Sequence, residues 1–149
     1  MRLEPGPGNV CFGCGGANPR GMKLSFELDE VGQRVRGAFR AGAEYQGGPG
    51  FVHGGIIATL LDEVMGKVNR FRNVRAVTAE LHIEYLRPVP IEQELLLEAW
   101  TVENKGRSLY NAGEIREASG AVLARGKGRF VIIDPERYYP RAGDGANKS

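Results

Sequence analysis

Two carboxylates stand side by side in this chain, Asp62 and Glu63, just downstream of the triplet His53-Gly54-Gly55. A carboxylate held out of bulk water can take a proton from a water molecule or attack an acyl carbon itself. Two glycines at a helix start can offer backbone N–H groups to a developing oxyanion. The first N–H groups of a helix lack internal partners, and the helix dipole favours negative charge there. The same glycines also suit a tight loop-to-helix turn, and the two readings are compatible. The chemistry these residues suggest is attack on a carbonyl.

A helix has to carry the carboxylates. Ile56, Ile57, Leu60, Leu61, Val64, Met65 and Val68 recur at helical spacing and predict a helix over roughly 54–69. The remaining face carries Gly55, Ala58, Thr59, Asp62 and Gly66, small enough to let a ligand, a substrate or a second helix come close. Glu63 falls at the margin of the apolar stripe with Lys67 four residues on, which reads as a solvated surface pair. Asp62 is therefore the candidate for chemistry. Strands are expected at 22–28, 34–39, 76–86, 94–103, 108–117 and 121–133, separated by turn residues such as Lys105-Gly106 and Ser119-Gly120. Within 76–86, strict alternation puts Val77, Ala79, Leu81, Ile83 and Tyr85 on one face and Thr78, Glu80, His82 and Glu84 on the other. One long helix followed by four strands predicts an α+β domain, an antiparallel sheet packed on a helix.

Phe51-Val52-His53-Gly54-Gly55 with an aspartate nine residues after the histidine, and the later run Val77-Thr78-Ala79-Glu80-Leu81-His82-Ile83-Glu84-Tyr85-Leu86-Arg87-Pro88, resemble the hotdog-fold acyl-CoA thioesterases of the PaaI-like type. The likeness covers about Cys11 to Ile133 and is closest to the branch of the mammalian carboxy-terminal modulator protein. It implies a hotdog fold, an antiparallel sheet wrapped around one long central helix. It also implies an acyl-CoA substrate, no cofactor, and a homodimer or homotetramer with the site shared between subunits. By that resemblance Asp62 is the general base or nucleophile and the Gly55 N–H is the oxyanion donor. Thr78 positions a water for the partner subunit's Asp62, while His53 and Gly54 orient the substrate. Many such relatives carry Asn or Gln six residues before the histidine. Here that position is Gly47, and Gln46 stands next to it as a possible replacement.

Lys105 and Arg107, in the turn before Ser108, are candidates for holding the coenzyme phosphates, with Arg87 a further option. Arg125, Lys127 and Arg129 alternate along the last strand and read as a solvated stripe. Cys11-Phe12-Gly13-Cys14 supplies half of a structural zinc site and lacks the setting of a redox pair. It reads as an ordered turn bordering the acyl pocket, with no metal. The other histidine, His82, has no metal-ligand spacing to His53.

The net charge of +2 at pH 7 comes with no basic cluster for nucleic acid. No apolar stretch reaches membrane-span length, and no signal-like segment opens the chain, so a cytoplasmic location is expected. Three segments are expected: 1–21 with the cysteine turn, 22–133 as the thioesterase domain, and 134–149 as a flexible tail. The stretch before Asn9 reads as disordered. Two rival functions stand beside hydrolysis. One is a hotdog domain that binds acyl-CoA without cleaving it. The other is a hydratase-like hotdog enzyme, which would place an aspartate before a histidine on the helix.

Overall fold

Alternating burial builds the sheet, and one amphipathic helix fills its concave face. The computed structural model describes residues 1–138. Along the chain come β1 (Arg2–Leu3), β2 (Phe26–Asp29), β3 (Arg34–Arg40), α1 (Gly54–Lys67), β4 (Ala76–Tyr85), β5 (Glu94–Lys105), β6 (Ser108–Glu117), β7 (Val122–Ile132) and the single turn α2 (Pro135–Tyr138). The strands form one sheet in the order β1-β2-β3-β5-β6-β7-β4, every neighbouring pair antiparallel. Helix α1 leaves the β3 side and delivers the chain to the opposite edge, where β4 has β7 as its one partner among the described residues. This is the hotdog arrangement expected from the resemblance.

The helix lies on the sheet through Ile57, Leu60, Leu61, Val64 and Met65, all buried. Each such side chain contributes roughly 1.5–3 kcal/mol when taken out of water. Across from them, β5, β6 and β7 turn Leu95, Leu97, Ala99, Leu109, Ile115 and Phe130 inward. Contact is close because β6 and β7 present glycines to the helix. A Cβ on Gly113 would lie 3.0 Å from Met65 Cγ, and one on Gly126 would lie 3.2 Å from Met65 Cε. A short 3₁₀ segment, Val68–Arg72, continues the helix and stops at Asn73, whose φ of 54° turns the chain back toward β4. Buried Asn111 on β6 pins this end, its Nδ2 donating to Met65 O and Asn69 Oδ1, each at 2.9 Å.

Two expectations need correction. The stretch before Asn9 is ordered: β1 pairs with β2, the N-terminal amine donates to Leu28 O at 2.9 Å, and Leu28 N–H returns a bond to Met1 O. The expected strand at 22–28 is shorter. Met22 and Leu24 are buried, but their N–H groups bond to Phe12 O and Gly13 O, so the cysteine turn takes the place of a strand neighbour. The tail expected at 134–149 begins with α2, and its remainder from 139 lies outside the described residues. No helix among the described residues is long and apolar enough to cross a membrane.

Replacing Asn111 with alanine would take the buried donor away from the Asn69 side-chain carbonyl and leave Met65 O with the Val68 N–H in its place. The expected cost is about 1–3 kcal/mol, read as a lower urea midpoint at an unchanged slope.

Candidate active site

The site starts from a register change. β4 pairs with β7 as Thr78↔Phe130 and then Glu80↔Arg129, so Ala79 is an extra residue, a bulge. A one-residue slip exchanges the faces of a strand. Thr78 therefore shares the inward face with Phe130. Beyond the bulge, Leu81, Ile83 and Tyr85 lie over α1, while Glu80 and Glu84 pair outward with Arg129 and Arg125. The strict alternation expected for this strand had placed Thr78 with those charged residues; the bulge overturns that.

Turned inward, Thr78 donates its hydroxyl to Asp62 Oδ1 at 2.8 Å. Both residues belong to the same chain, so Thr78 holds its own chain's Asp62 directly, where the sequence expectation had it position a water for the partner subunit's Asp62. The Asp62 carboxyl is half-buried on the small-residue face of α1, beside Gly66. Burial raises its pKa above the ordinary carboxylate value, and the Thr78 hydrogen bond works against that rise. Of the charged neighbours, Glu63 adds to the rise and Lys67 opposes it. A cleft of about 150 Å³ opens here, lined on one side by Asp62, Thr78, Gly66, Ala76, Val74 and Phe130. Lys67, Arg70 and Arg75 line it too, as does Glu63, so three cations face two carboxylates there.

The helix start is a second locus. His53 is the N-cap, its Nδ1 accepting from Gly55 N at 2.9 Å. The N–H expected to meet an oxyanion is thus held by an exposed imidazole. Tyr85 Oη donates to Gly54 O at 2.8 Å, tying the far end of β4 to the same turn. Gln46 is exposed, and its Oε1 accepts from Gly50 N at 3.0 Å, so it closes the loop that leads into the helix. Lys105 pairs with Glu103 at the exposed β5–β6 turn, and Arg107 donates to Ile132 O.

The structure therefore brings Asp62 and Thr78 together and groups His53, Gly54, Gly55 and Gln46 separately. Asp62 lies seven residues along the helix from Gly55, about 10 Å at the helical rise.

A third group escaped sequence reading. Glu63, expected to be solvated, lies under the cysteine turn: its side chain is 15% exposed and that of Lys67 12%, with 3.7 Å between Oε2 and Nζ. Cys11 Sγ is 3.7 Å from Glu63 Oε1, and Lys67 Nζ is 3.1 Å from Cys14 Sγ. Burial, reinforced by the charge of Glu63, pushes the Cys14 thiol up to about 11. Arg70 and Arg75, which line the cleft, were not singled out by the sequence reading. Their position directly after the small-residue face was the available signal.

The sequence profile of the Thioesterase superfamily matches residues 49–124, just over half of the 149 residues, spanning α1, β4, β5, β6 and the start of β7. The chain belongs to the thioesterase superfamily. Mouse acyl-coenzyme A thioesterase THEM4 is 31% identical over 118 residues, which are 78% of this chain and 51% of that protein. The chain spans about half the length of the curated relatives it matches. A thioesterase superfamily protein of known crystal structure is 37% identical, covering 78% of this chain and 60% of its own, with a TM-score of 0.73. A Streptococcus mutans protein crystallised with acetyl-CoA shares the fold at 22% identity, with a TM-score of 0.65 over 68% of this chain and 82% of that one.

The shifted carboxyl makes a signed stability prediction. Folding favours protonated Asp62, so its ionisation costs stability at neutral pH. That cost disappears as pH falls through the raised folded pKa toward the ordinary value of 3.8. Asp62→Asn is expected to have a higher urea midpoint than wild type at pH 7, with the gap closing by about pH 4. In Thr78→Val the carboxyl loses its donor, and its ¹³C resonance is expected to titrate at higher pH than in wild type.

Proposed function

We propose that this chain hydrolyses acyl-CoA thioesters, releasing the free acid and coenzyme A. The observation that carries the reading is the half-buried Asp62, held by Thr78 at 2.8 Å in a cleft walled by three cations. The name of the mouse relative and the acetyl-CoA bound by a protein of the same fold point to the same substrate class. Asp62 acts as general base on a water or as nucleophile on the acyl carbon. The Thr78 hydroxyl fixes the orientation of the carboxylate. The cationic wall suits a substrate carrying phosphates. Arg107 reaches the same end of the sheet as Arg75, since it bonds to Ile132 O and the next residue, Ile133, bonds to Arg75 O.

The carbonyl oxygen needs donors within about 3 Å of where its charge develops, and the Gly55 N–H of the same chain is about 10 Å of helix away from Asp62. We therefore place the helix start of a second copy opposite Asp62, as a homodimer. The edge strand β4, bonded to β7 alone among the described residues, favours this, because Val77, Leu81 and Tyr85 are 41%, 39% and 54% exposed, with Phe51 and Leu86 also open to solvent. The substrate carbonyl takes the Gly55 N–H by displacing the exposed His53 ring, whose cap bond is otherwise worth about 1 kcal/mol.

A thiol-release assay over short, long and aromatic acyl-CoAs tests the activity. Wild type should turn over, and Asp62→Asn should fall by about 10²–10⁴. Equal rates in the two, or binding without cleavage, would end the hydrolase reading. Gly55→Pro removes the N–H at a position in the first helical turn that tolerates proline. Co-expressed with Asp62→Asn, it should recover about a quarter of wild-type activity, since half of random pairs hold one intact shared site. No recovery would place both groups' function within one chain.

A further inference from the structure

We propose that Cys11, Cys14 and Glu63 form a binding site for a divalent transition-metal ion of the zinc type, which fastens the N-terminal turn to helix α1 beside Asp62. The thiol sulfurs of Cys11 and Cys14 and a carboxylate oxygen of Glu63 all lie within 4.8 Å of one another. Zinc bonds of about 2.3 Å to sulfur and 2.1 Å to oxygen in a tetrahedron put neighbouring sulfur and oxygen ligands about 3.6 Å apart. Cys11 Sγ and Glu63 Oε1 already stand at 3.7 Å. Two thiolates and a carboxylate are the donor set that zinc accepts ahead of calcium or magnesium.

The turn is built for this approach. Gly13 lies flat against the Glu63 carboxyl, where a Cβ would overlap it. Cys14 is 6% exposed. Its sulfur receives Lys67 Nζ at 3.1 Å and Asn9 Nδ2 at 3.9 Å, while Asn9 Oδ1 accepts from Cys11 N at 2.8 Å. Donors to a ligating sulfur form the outer shell that holds metal sites in shape. Lys67 also settles the charge. A dication with two thiolates and one carboxylate carries a net −1, which the neighbouring ammonium, paired with Glu63 at 3.7 Å, balances.

Three protein ligands leave one position of a tetrahedron open. Cys11, Cys14 and Glu63 all line the cleft that holds Asp62 and Thr78, so that position opens toward the same space. This site does not depend on the thioesterase reading.

Cobalt(II) titration of chelator-stripped protein tests it. One equivalent per chain should produce an intense near-ultraviolet sulfur-to-cobalt band with visible bands of a tetrahedral ion, and one equivalent of zinc should abolish both. Cys11→Ser and Cys14→Ser should each strip the sulfur-to-cobalt band to half or less. Glu63→Gln, which spares both sulfurs, should weaken cobalt binding at least tenfold. Circular dichroism of each variant shows whether it has folded. Absence of the sulfur-to-cobalt band in folded wild type would overturn the site, as would the same spectrum and affinity in folded Cys11→Ser or Glu63→Gln. If both serine variants fail to fold, the wild-type spectrum and folded Glu63→Gln decide alone.

Discussion

A carboxylate that is half withdrawn from water must be compensated or stay protonated, and in this chain the largest compensation is one hydroxyl, with Lys67 adding to it. Thr78 meets Asp62 at 2.8 Å only because the backbone of β4 carries one residue more than its partner β7. Without that bulge Thr78 would point outward, into the row where Glu80 and Glu84 meet Arg129 and Arg125. Asp62 would then keep its burial and lose its donor. The extra residue, Ala79, has no chemistry of its own. It changes which face the residues on either side of it present, which is the use that bulges beside functional sites commonly serve.

The rest of the fold keeps that pair in reach. β4 sits at the edge, bonded on one side to β7, and would be free to fray if the sheet were its only hold. Two hydroxyls tie it to the helix instead, Thr78 to Asp62 and Tyr85 to Gly54 O. The helix in turn is fixed by close approach to glycine positions on β6 and β7 and by Asn111 at its end. Packing at this density transmits small shifts, so a displacement of Met65 against Gly113 and Gly126 would reach the Asp62 carboxylate through the helix.

What the sequence made legible divides along physical lines. The helix from Gly54 and the strand Ser108–Glu117 were readable because each buries one face, and burial leaves a periodic trace in residue type. Asp62 was readable as an acid among small residues on the face away from the stripe. The bulge left no trace, since alternation of residue types continues straight through Ala79 while the pairing does not. Glu63 and Lys67 looked like an exposed pair because helix periodicity reports only the helix. What covers them is a turn some fifty residues earlier, joined to the domain through the backbone groups of Phe12 and Gly13. Backbone pairing has no side-chain signature, and the order of Met1–Leu3 was hidden for the same reason.

The helix also acts as a ruler, and its length is what makes the proposed site one shared between two copies. Its N-terminus supplies the N–H groups, its middle supplies the carboxylate, and a rise of about 1.5 Å per residue keeps them about 10 Å apart. No side-chain rotation closes that gap, because one partner is backbone and the other is a two-carbon side chain. Two copies related by a twofold axis would set two such helices antiparallel, the start of each facing the middle of the other, so one sequence supplies both halves of two equal sites. That proposed geometry would give the apolar edge of β4 a reason to be exposed in the single chain. It would also account for the small residues on the Asp62 face, since Gly55, Ala58, Thr59 and Gly66 would leave room for a substrate lying between the helices.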